Sequence, residues 1–292
     1  MDPLPNLTIQ QLPYLAAVAD APTWAVAAAE LDVTPSALSQ GLAELDRRID
    51  FPLFERTGRR RVLAPLGSEV LAYARTVLSQ TGDLNRWLDD ARSGRVGPLR
   101  VGMIDAAALG HWRALLQTFR TDHPETALRL SIAPSGELLD QLERNQIDLA
   151  VVVAPPEIPV GIDWVDLLND PLAVYAPPGT TVGRTPSWGP WVSFPTTSHT
   201  RDMIEAELTK LGVHFEVVSE SHQPEVLREM VRLGMGWTVL PIIQAEATPN
   251  PLVPARRKPL LSRRLIAARR KGALPHPMLD AFVASLGSDQ IC

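Results

Sequence analysis

The sequence predicts an α+β multidomain protein with a small helical domain, one long helix, and a larger C-terminal part built as two α/β lobes. Three observations predict this arrangement. The first 66 residues are rich in Ala and Leu and are divided by helix caps and turns. A continuous apolar stripe with no turn signal follows, and beyond SGRVGP short apolar runs alternate with amphipathic segments. A chain of 292 residues is also long enough for two or three domains.

The composition is that of an ordinary globular protein. Hydrophobic residues make up 45% of the chain and charged residues 21%, with a net charge of −5. The single cysteine, Cys292, excludes an intrachain disulfide and a thiolate metal site. No stretch approaches the roughly 18 to 20 uninterrupted apolar residues of a membrane helix, and no export signal is recognisable. We therefore expect a cytoplasmic protein without a metal or cofactor.

Three helices are predicted in the N-terminal domain: Ile9–Ala19, Trp24–Leu31, and a third from Pro35 to about Ile49. Thr23 and Thr34 are suitable N-caps, since a threonine hydroxyl accepts a bond from an otherwise unpaired backbone N–H. Two short helices joined by a tight turn form a helix-turn-helix motif. The apolar PLF segment and the arginines that follow it predict a wing.

The predicted third helix has two different faces. Its apolar face carries Leu38, Leu42, Leu45 and Ile49, and its opposite face carries Ser36, Gln40, Ala43 and Arg47. Small polar residues on the outer face would let the helix enter the major groove of DNA. Ser36, Gln40 and Ala43 would then face base edges, and Ser39 and Arg47 would face phosphates. The alternative is an ordinary surface helix.

Positive charge in this domain is confined to one edge. Residues 1 to 66 contain six basic and eight acidic side chains, and all six basic ones lie between Arg47 and Arg61. Attraction to phosphate would therefore come from this edge, with Arg56, Arg59 and Arg60 in the wing, and not from a basic domain. The alternative is a solvated basic loop.

A long helix is predicted over Gly67 to Arg92. Its apolar stripe consists of Val70, Val77, Leu84 and Ala91, widened by Tyr73, Ala74, Leu78, Trp87 and Leu88. A stripe on an arm that has no domain of its own must be buried, and we expect a partner subunit to cover it. The expected domains are residues 1–66, 67–93 and 94–292.

The remaining chain alternates strands and helices, which predicts a parallel sheet. The expected strands are Leu99–Ile104, Leu128–Ile132, Asp148–Val153, Trp191–Phe194, Phe215–Ser219, Thr238–Leu240 and Leu261–Ala268. We expect a first lobe at about 99–160 and 265–290 and a second at about 161–264. A later basic series, Arg256, Arg257, Lys258, Arg263, Arg264, Arg269, Arg270 and Lys271, is expected on a solvated lobe surface.

The cleft between the lobes is the expected ligand site, because α/β sheets bind ligands beyond the carboxyl ends of their strands. The first lobe contributes Asp105, Ala106 and Ser135 there, and the second contributes Thr196, Thr197, Ser198 and Thr200 at the start of a helix. Free N–H groups at such a helix start favour an anion such as a carboxylate. The alternative is that these hydroxyls are only helix caps. Asp105 would repel an anion or pair with an ammonium, so a ligand carrying both groups would satisfy both sites.

Residues along the whole chain resemble the LysR-type transcriptional regulator family. The resemblance rests on Thr23, Trp24, Ala27, Ala28, Leu31, Val33, Thr34, Ala37, Leu38, Ser39, Leu45, Leu53, Phe54, Arg56 and Gly67. It continues in FRTDHPETALRLSIAPSGELLDQLERNQIDLAVV and MVRLGMGWTVLP. The resemblance implies a winged helix-turn-helix domain, a dimerisation helix, tetramers, and a periplasmic-binding-protein-like domain for a small-molecule effector. The candidate DNA contacts are Thr34, Pro35, Ser36, Ser39, Gln40, Ala43, Arg47, Arg56, Arg59 and Arg60.

Some residues depart from the family pattern. Gly41 stands where a polar residue, often Gln, is usual, and Asp50 stands where Gly is usual. Glycine inside a helix costs about 1 kcal/mol relative to alanine and offers no side-chain contact. We therefore expect fewer base contacts than are usual in the family, and a larger contribution from DNA shape.

Two other classes of protein deserve comparison. A solute-binding protein would share the two lobes but would not need residues 1–92 and would carry an export signal. An enzyme would need a polar catalytic cluster, and no Ser/His/Asp or Cys/His arrangement is recognisable. The preferred hypothesis is a ligand-responsive regulator of promoter DNA with no catalytic residue.

Overall fold

A computed structural model describes residues 7–57, 60–93, 97–183, 185–274 and 276–288. The chain forms two compact units that divide between Arg92 and Ser93, apart from Glu143–Asn145, which group with the first unit. Within the described ranges, no helix has both the length and the apolar character needed to cross a membrane.

The first unit is a winged helix-turn-helix followed by a long helix, as predicted. After a 3-10 turn at Ile9–Gln11, its elements are α1 (Leu12–Asp20), α2 (Trp24–Glu30), α3 (Pro35–Ile49), β1 (Phe54–Thr57), β2 (Arg60–Leu63) and α4 (Pro65–Ser93). Both predicted caps form: Thr23 Oγ1 accepts from Val26 N at 3.2 Å, and Thr34 Oγ1 accepts from Ala37 N at 3.1 Å. Each cap satisfies one of the free N–H groups at a helix start.

The end of α3 is fixed by two aspartates. Asp50 adopts a left-handed conformation with φ 57°, which explains why glycine is usual at this position. Asp46 Oδ1 accepts a hydrogen bond from Leu53 N at 3.0 Å. This bond connects α3 to the chain that enters β1, and β1 pairs antiparallel with β2 as the wing.

The apolar stripe of α4 is divided between two environments. Leu71 and Ala74 are buried in the core of the first unit, and Val70, Val77 and Leu78 pack against the same core. We expected a partner subunit to cover the whole stripe. This expectation is wrong for the first half of the stripe, which the first unit itself covers. Among the described side chains of α4, the large hydrophobic ones that stay exposed are Leu66, Tyr73, Leu84 and Trp87, at 47 to 55%.

The second unit contains a six-stranded sheet, a two-stranded sheet and the helices around them. Its strands are β3 (Leu99–Met103), β4 (Leu128–Ile132), β5 (Leu149–Val153), β6 (Ile162–Tyr175), β7 (Trp191–Ser193), β8 (Val217–Glu220), β9 (Thr238–Pro241) and β10 (Leu261–Arg270). Its helices are α5 (Arg113–Asp122), α6 (Ser135–Glu143), α7 (His199–Lys210), α8 (Pro224–Arg232), α9 (Ile242–Ala245) and α10 (Leu279–Ser288), with a π-helical turn at Ala106–His111.

The sheets are only partly parallel. β3 is parallel to β4 and β5, and β7 is parallel to β8, as predicted. In the order β4-β3-β5-β10-β6-β9, however, β10 is antiparallel to both of its neighbours, and β9 is antiparallel to β6. The strand β6 was not predicted at all.

Two separate cores define the predicted lobes. One core includes Leu99–Met103 side chains, β5 and Leu265–Ala268, and the other includes Leu172–Tyr175 and three buried tryptophans. One end of β6 and one end of β10 pack in the first core, and their other ends pack in the second core. These two strands therefore run through both lobes. The predicted fold class, with its two-lobed α/β C-terminal part, is confirmed.

Candidate functional site

The outer face of α3 is the first candidate interface. Leu38, Leu42 and Leu45 are buried against the first core, which turns the opposite face of the helix outward. The side chains exposed there are Thr34, Pro35, Ser36, Gln40, Ala43 and Arg47, and Ser39 is half-buried. All seven predicted contacts on α3 therefore lie on or beside one accessible surface.

Arg47 is paired with an acidic side chain on this surface. Glu44 forms salt bridges with both Arg47 and Arg48, and the Nε of Arg48 lies 2.7 Å from Glu44 Oε1. The hydrogen bond from Arg48, together with the charge of Arg47, lowers the pKa of Glu44 below its ordinary value of 4.5. Such surface pairs are weak because water surrounds both charges, so a phosphate group can displace the carboxylate.

Gly41 faces the inside of its domain. A Cβ at this position would lie 2.3 Å from Cδ2 of Tyr14, far inside contact distance. The glycine therefore lets α1 approach α3 closely. The interpretation of Gly41 as a lost DNA contact does not hold in this structure, because the ring of Tyr14 occupies the space beside it.

The predicted arginines of the wing are only partly described. Arg56 lies on β1, opposite Arg61, and Arg60 lies on β2, opposite Thr57. Arg59 lies outside the described residues. The hairpin therefore brings the backbone of Arg56, Arg60 and Arg61 within one two-stranded ribbon.

The second candidate site is a cavity of about 330 Å³ between the two lobes. From the first lobe it is lined by residues after β3, at the end of β4, and at the start of α6. From the second lobe it is lined by the starts of α7 and α8, and Arg263 of β10 completes it. Its volume is at the lower end of the range for small-molecule sites, about 300 to 1,000 Å³.

Three helices begin at this cavity. Ser135 and Gly136 open α6, Ser198 is the N-cap of α7, and Gln223 is the N-cap of α8. The side chains of Ser198 and Gln223 make no capping hydrogen bond. The positive dipole ends of these helices are therefore directed at the same space, although α8 begins with Pro224 and lacks one of the usual N–H groups.

Arg263 is held in place by a buried network. Its Nε donates to Asp170 Oδ2 at 2.9 Å, and its Nη1 donates to Thr200 Oγ1 at 3.1 Å. The other oxygen of Asp170 lies 3.0 Å from Nε2 of His111. Asp170 is fully buried and Arg263 is 5% exposed. The expectation that Arg263 belongs to a solvated surface is wrong.

Asp105 provides a carboxylate at the cavity wall, directly after β3. Burial raises its pKa above the ordinary value of 3.8, and the negative charge of Glu225 raises the pKa further. Its own backbone N–H, Arg263 and His222 lower the pKa, but their effect is smaller. Among the described residues, none forms a salt bridge with Asp105.

Five of the seven predicted ligand-site residues line the cavity: Asp105, Ser135, Thr197, Ser198 and Thr200. Ala106 is buried behind the wall and Thr196 is exposed, and neither is among the lining residues. The sequence interpretation missed Arg263, His222 and Gln223. Arg263, Leu265 and Ala267 are two positions apart and so share one face of a strand. The apolar character of the other two indicates that Arg263 points inward.

Within the described ranges, no three His, Cys, Asp or Glu side chains are grouped so as to hold a metal ion. Cys292 lies outside those ranges. The absence of a metal or cofactor therefore stays a prediction from sequence.

Comparisons with known proteins agree with this architecture. Residues 9–68 match the family described as bacterial regulatory helix-turn-helix protein, lysR family, and residues 92–290 match the LysR substrate binding domain. The transcriptional regulator CbbR of Rhodospirillum rubrum is 27% identical over 237 residues, which cover 80% of this chain and 78% of CbbR.

Two solved structures share the fold. A full-length OxyR variant from Pseudomonas aeruginosa has a TM-score of 0.62 and 21% identity, and the alignment covers 96% of this chain and 95% of OxyR. Full-length CbnR in complex with its target DNA has a TM-score of 0.60 and 20% identity, with 97% of this chain and all of CbnR covered. Since the two matched regions together span most of the sequence, this chain belongs to the LysR family of transcriptional regulators.

Proposed function

We propose that this LysR-type regulator contacts promoter DNA through the outer face of α3 and the β1–β2 hairpin. We further propose that a small molecule carrying a carboxylate binds between the lobes and modulates that contact. The observation that carries the second proposal is the convergence of α6, α7 and α8 on one cavity.

The helix starts favour an anionic group on the effector. Each helix terminus is equivalent to about half a positive charge, and its free N–H groups are ready donors. At α7 the side chain of Ser198 does not cap the helix, so the backbone N–H groups of His199 and Thr200 stay available, whereas α8 begins with Pro224, which has no N–H. A carboxylate at this place would also lie near Arg263, which lines the same cavity.

The α3 surface favours groove entry. Ser36, Gln40 and Ala43 are small or slender, and Gln40 can form a bidentate contact with adenine. Arg47, Arg56, Arg59 and Arg60 would hold phosphates, which position the domain without reading sequence. Variants of the residues that face bases should therefore lose preference for one DNA sequence, whereas variants of the arginines should lose affinity for any DNA.

The effector can change DNA binding only if it has different affinities for two arrangements of the protein. The cavity walls belong to both lobes, so a ligand that contacts both walls would favour one relative position of the lobes. We propose this as the allosteric step.

Oligomerisation and location are proposed on the same grounds. We propose that the exposed Tyr73, Leu84 and Trp87 of α4 meet a second copy of the chain, that the dimers assemble to tetramers, and that the protein is cytoplasmic. The domains would be residues 1–66, 67–93 and 94–292.

Light scattering tests the role of α4 in this assembly. It should show a smaller particle for Trp87→Glu than for Trp164→Glu, a control at a similarly exposed tryptophan of the second unit. Equal masses would contradict the assignment.

The test of DNA binding is a fluorescence anisotropy titration of the purified protein against the intergenic DNA upstream of its own gene, repeated over a series of salt concentrations. Specific binding should weaken as salt rises, with a log–log slope that reports the number of phosphate contacts. Gln40→Ala should reduce the preference for this DNA over a scrambled duplex, whereas Arg47→Ala should weaken both about equally and reduce the slope by about 1. Binding that is indifferent to salt and equal on both duplexes would refute the proposal.

A further inference from the structure

The cavity between the lobes contains one buried charge that is matched within the protein and one half-buried charge that is not. Arg263 is matched: its guanidinium donates to Asp170 at 2.9 Å, and Asp170 is fully buried. The pair is therefore neutral as a unit and fixed in position, which leaves Arg263 as a directed donor and not as an excess positive charge.

The unmatched charge is that of Asp105. It lines the cavity, and no described residue forms a salt bridge with it. Of the charges that affect its pKa, the largest effect comes from a second carboxylate, Glu225, which acts against ionisation and outweighs either Arg263 or His222. Glu137 also lines the cavity, but it is exposed and accepts a hydrogen bond from Gln141 at 3.1 Å. The Asp105 side of the cavity is thus electronegative, whereas the helix starts are electropositive.

An ionised carboxylate away from water is costly unless a partner is supplied. Because no described residue forms a salt bridge with Asp105, a cation in the cavity would gain a strong, charge-assisted hydrogen bond there. We propose that the effector is amphoteric, with a protonated amine or similar cationic nitrogen bound at Asp105 and its carboxylate bound at the starts of α7 and α8 beside Arg263. This inference rests on the proposed function of the cavity and specifies the class of its ligand.

Other ligand classes fit the charges less well. A dicarboxylate would place one anion near Asp105 and Glu225, where like charges repel it. A simple amine would leave the backbone N–H groups at the start of α7 without an acceptor. The small volume of the cavity favours a molecule of the size of an amino acid over a nucleotide.

The test compares pairs of compounds in which a hydroxyl or a carboxylate stands in place of the amino group. Thermal unfolding of the full-length protein is measured with alanine and lactate, aspartate and malate, phenylalanine and phenyllactate, and with ω-amino acids such as 4-aminobutyrate beside succinate. At least one amino compound should raise Tm while its hydroxy or dicarboxylate counterpart does not, because a ligand that binds the folded state stabilises it. Equal shifts within every pair, or no shift from any amino compound, would overturn the proposal.

The best amino compound is then titrated by calorimetry against variants. Asp105→Asn keeps the shape of the side chain and should weaken binding roughly tenfold to a hundredfold, as expected for loss of a hydrogen bond to a charged group. Asp140→Asn is the matched control, since it makes the same chemical change at an exposed carboxylate of the same lobe that does not line the cavity, and should change affinity less than about threefold. Unchanged affinity in Asp105→Asn, or equal losses in the two variants, would exclude the assigned role of Asp105.

Failure of this inference and failure of the proposed function give different results. If Asp105→Asn binds the upstream DNA normally and a carboxylate without an amine stabilises the protein, the cavity is an effector site of another class. If an amino compound binds through Asp105 but no DNA shows specific, salt-dependent binding, the ligand class stands and the regulatory proposal fails.

Discussion

Breaking the buried pair of Arg263 and Asp170 should destabilise the protein strongly. Removing one partner of a buried ion pair leaves the other charged and unpaired, at a cost of about 3 to 5 kcal/mol. Asp170→Asn does this to Arg263, which is 5% exposed, and also removes a charged neighbour of His111. In a unit of this size, 1 kcal/mol corresponds to roughly 2 to 4 °C in Tm. We therefore expect a fall of about 6 to 20 °C.

The same two strands provide a matched control. Arg264 and Asp166 form a salt bridge at 3.4 Å, but their side chains are 49% and 62% exposed. Asp166→Asn should cost no more than about 1 kcal/mol, or at most ~4 °C. The two variants make the same chemical change four residues apart, in pairs that differ in burial and in the contact of Asp170 with His111.

Intrinsic tryptophan fluorescence is a suitable readout, because the second lobe contains a buried cluster of Trp188, Trp191 and Trp237. Each variant is heated beside the parent protein, and circular dichroism checks that the folded states agree. If Asp170→Asn and Asp166→Asn lower Tm by the same amount, burial does not set the strength of this pair, and the account of Arg263 as a fixed donor is wrong.

Three further outcomes are expected. Gly41→Ala should not give the gain of about 1 kcal/mol in stability that is usual inside a helix. The new Cβ would lie 2.3 Å from the ring of Tyr14, and displacing the ring costs about 1 to 3 kcal/mol. A higher Tm for this variant would contradict the packing. Glu44→Gln should bind DNA more tightly with a salt slope steeper by about 1, because Arg47 loses a competing carboxylate; an unchanged slope would count against it. Without ligand, Asp105→Asn should unfold at a higher Tm than the parent near neutral pH, and the difference should shrink as pH falls towards 3.8.

The sign of the last prediction follows from the direction of the pKa shift. Burial and Glu225 raise the pKa of Asp105 in the folded state, so the folded protein holds that proton more tightly than the unfolded chain does. The associated stability is present at low pH and is lost as pH rises through the folded-state pKa. Asparagine has no such loss, and a constant Tm difference across this range would rule out Asp105 as the cause.

The parts of the fold that depend on local sequence were predictable. Thr23 and Thr34 each cap a helix through a bond to a residue three positions later, so a short window of sequence contains all the necessary information. β6 was missed for a complementary reason. Most of Asp163–Asp170 is at least partly exposed and shows no regular alternation, and Pro171 stands within the strand. Its position is set by pairing with β10, which lies much later in the chain.

The candidate site also combines residues that local sequence predicts with residues that only distant contacts bring into place. Asp105, Ser135 and Ser198 follow strands or begin helices, and the rule that such positions face a cleft predicted them. Arg263 was assigned to the surface because it belongs to a run of basic residues. Its buried partner Asp170 is 93 positions earlier, and only the folded sheet brings the two together. Gly41 is a similar case, because its packing partner Tyr14 lies on another helix.

The position of β10 in the sheet also has a consequence for folding during synthesis. β10 begins at Leu261, yet it pairs with β5, which ends at Val153. The first lobe therefore stays incomplete until the second lobe and nearly the whole chain have left the ribosome, and such distant pairings form slowly. Until then the apolar β5, LAVVV, has one edge unpaired. We expect a chain truncated before Leu261 to aggregate through this edge, and we expect aggregation in the cell to be set by how soon β10 arrives.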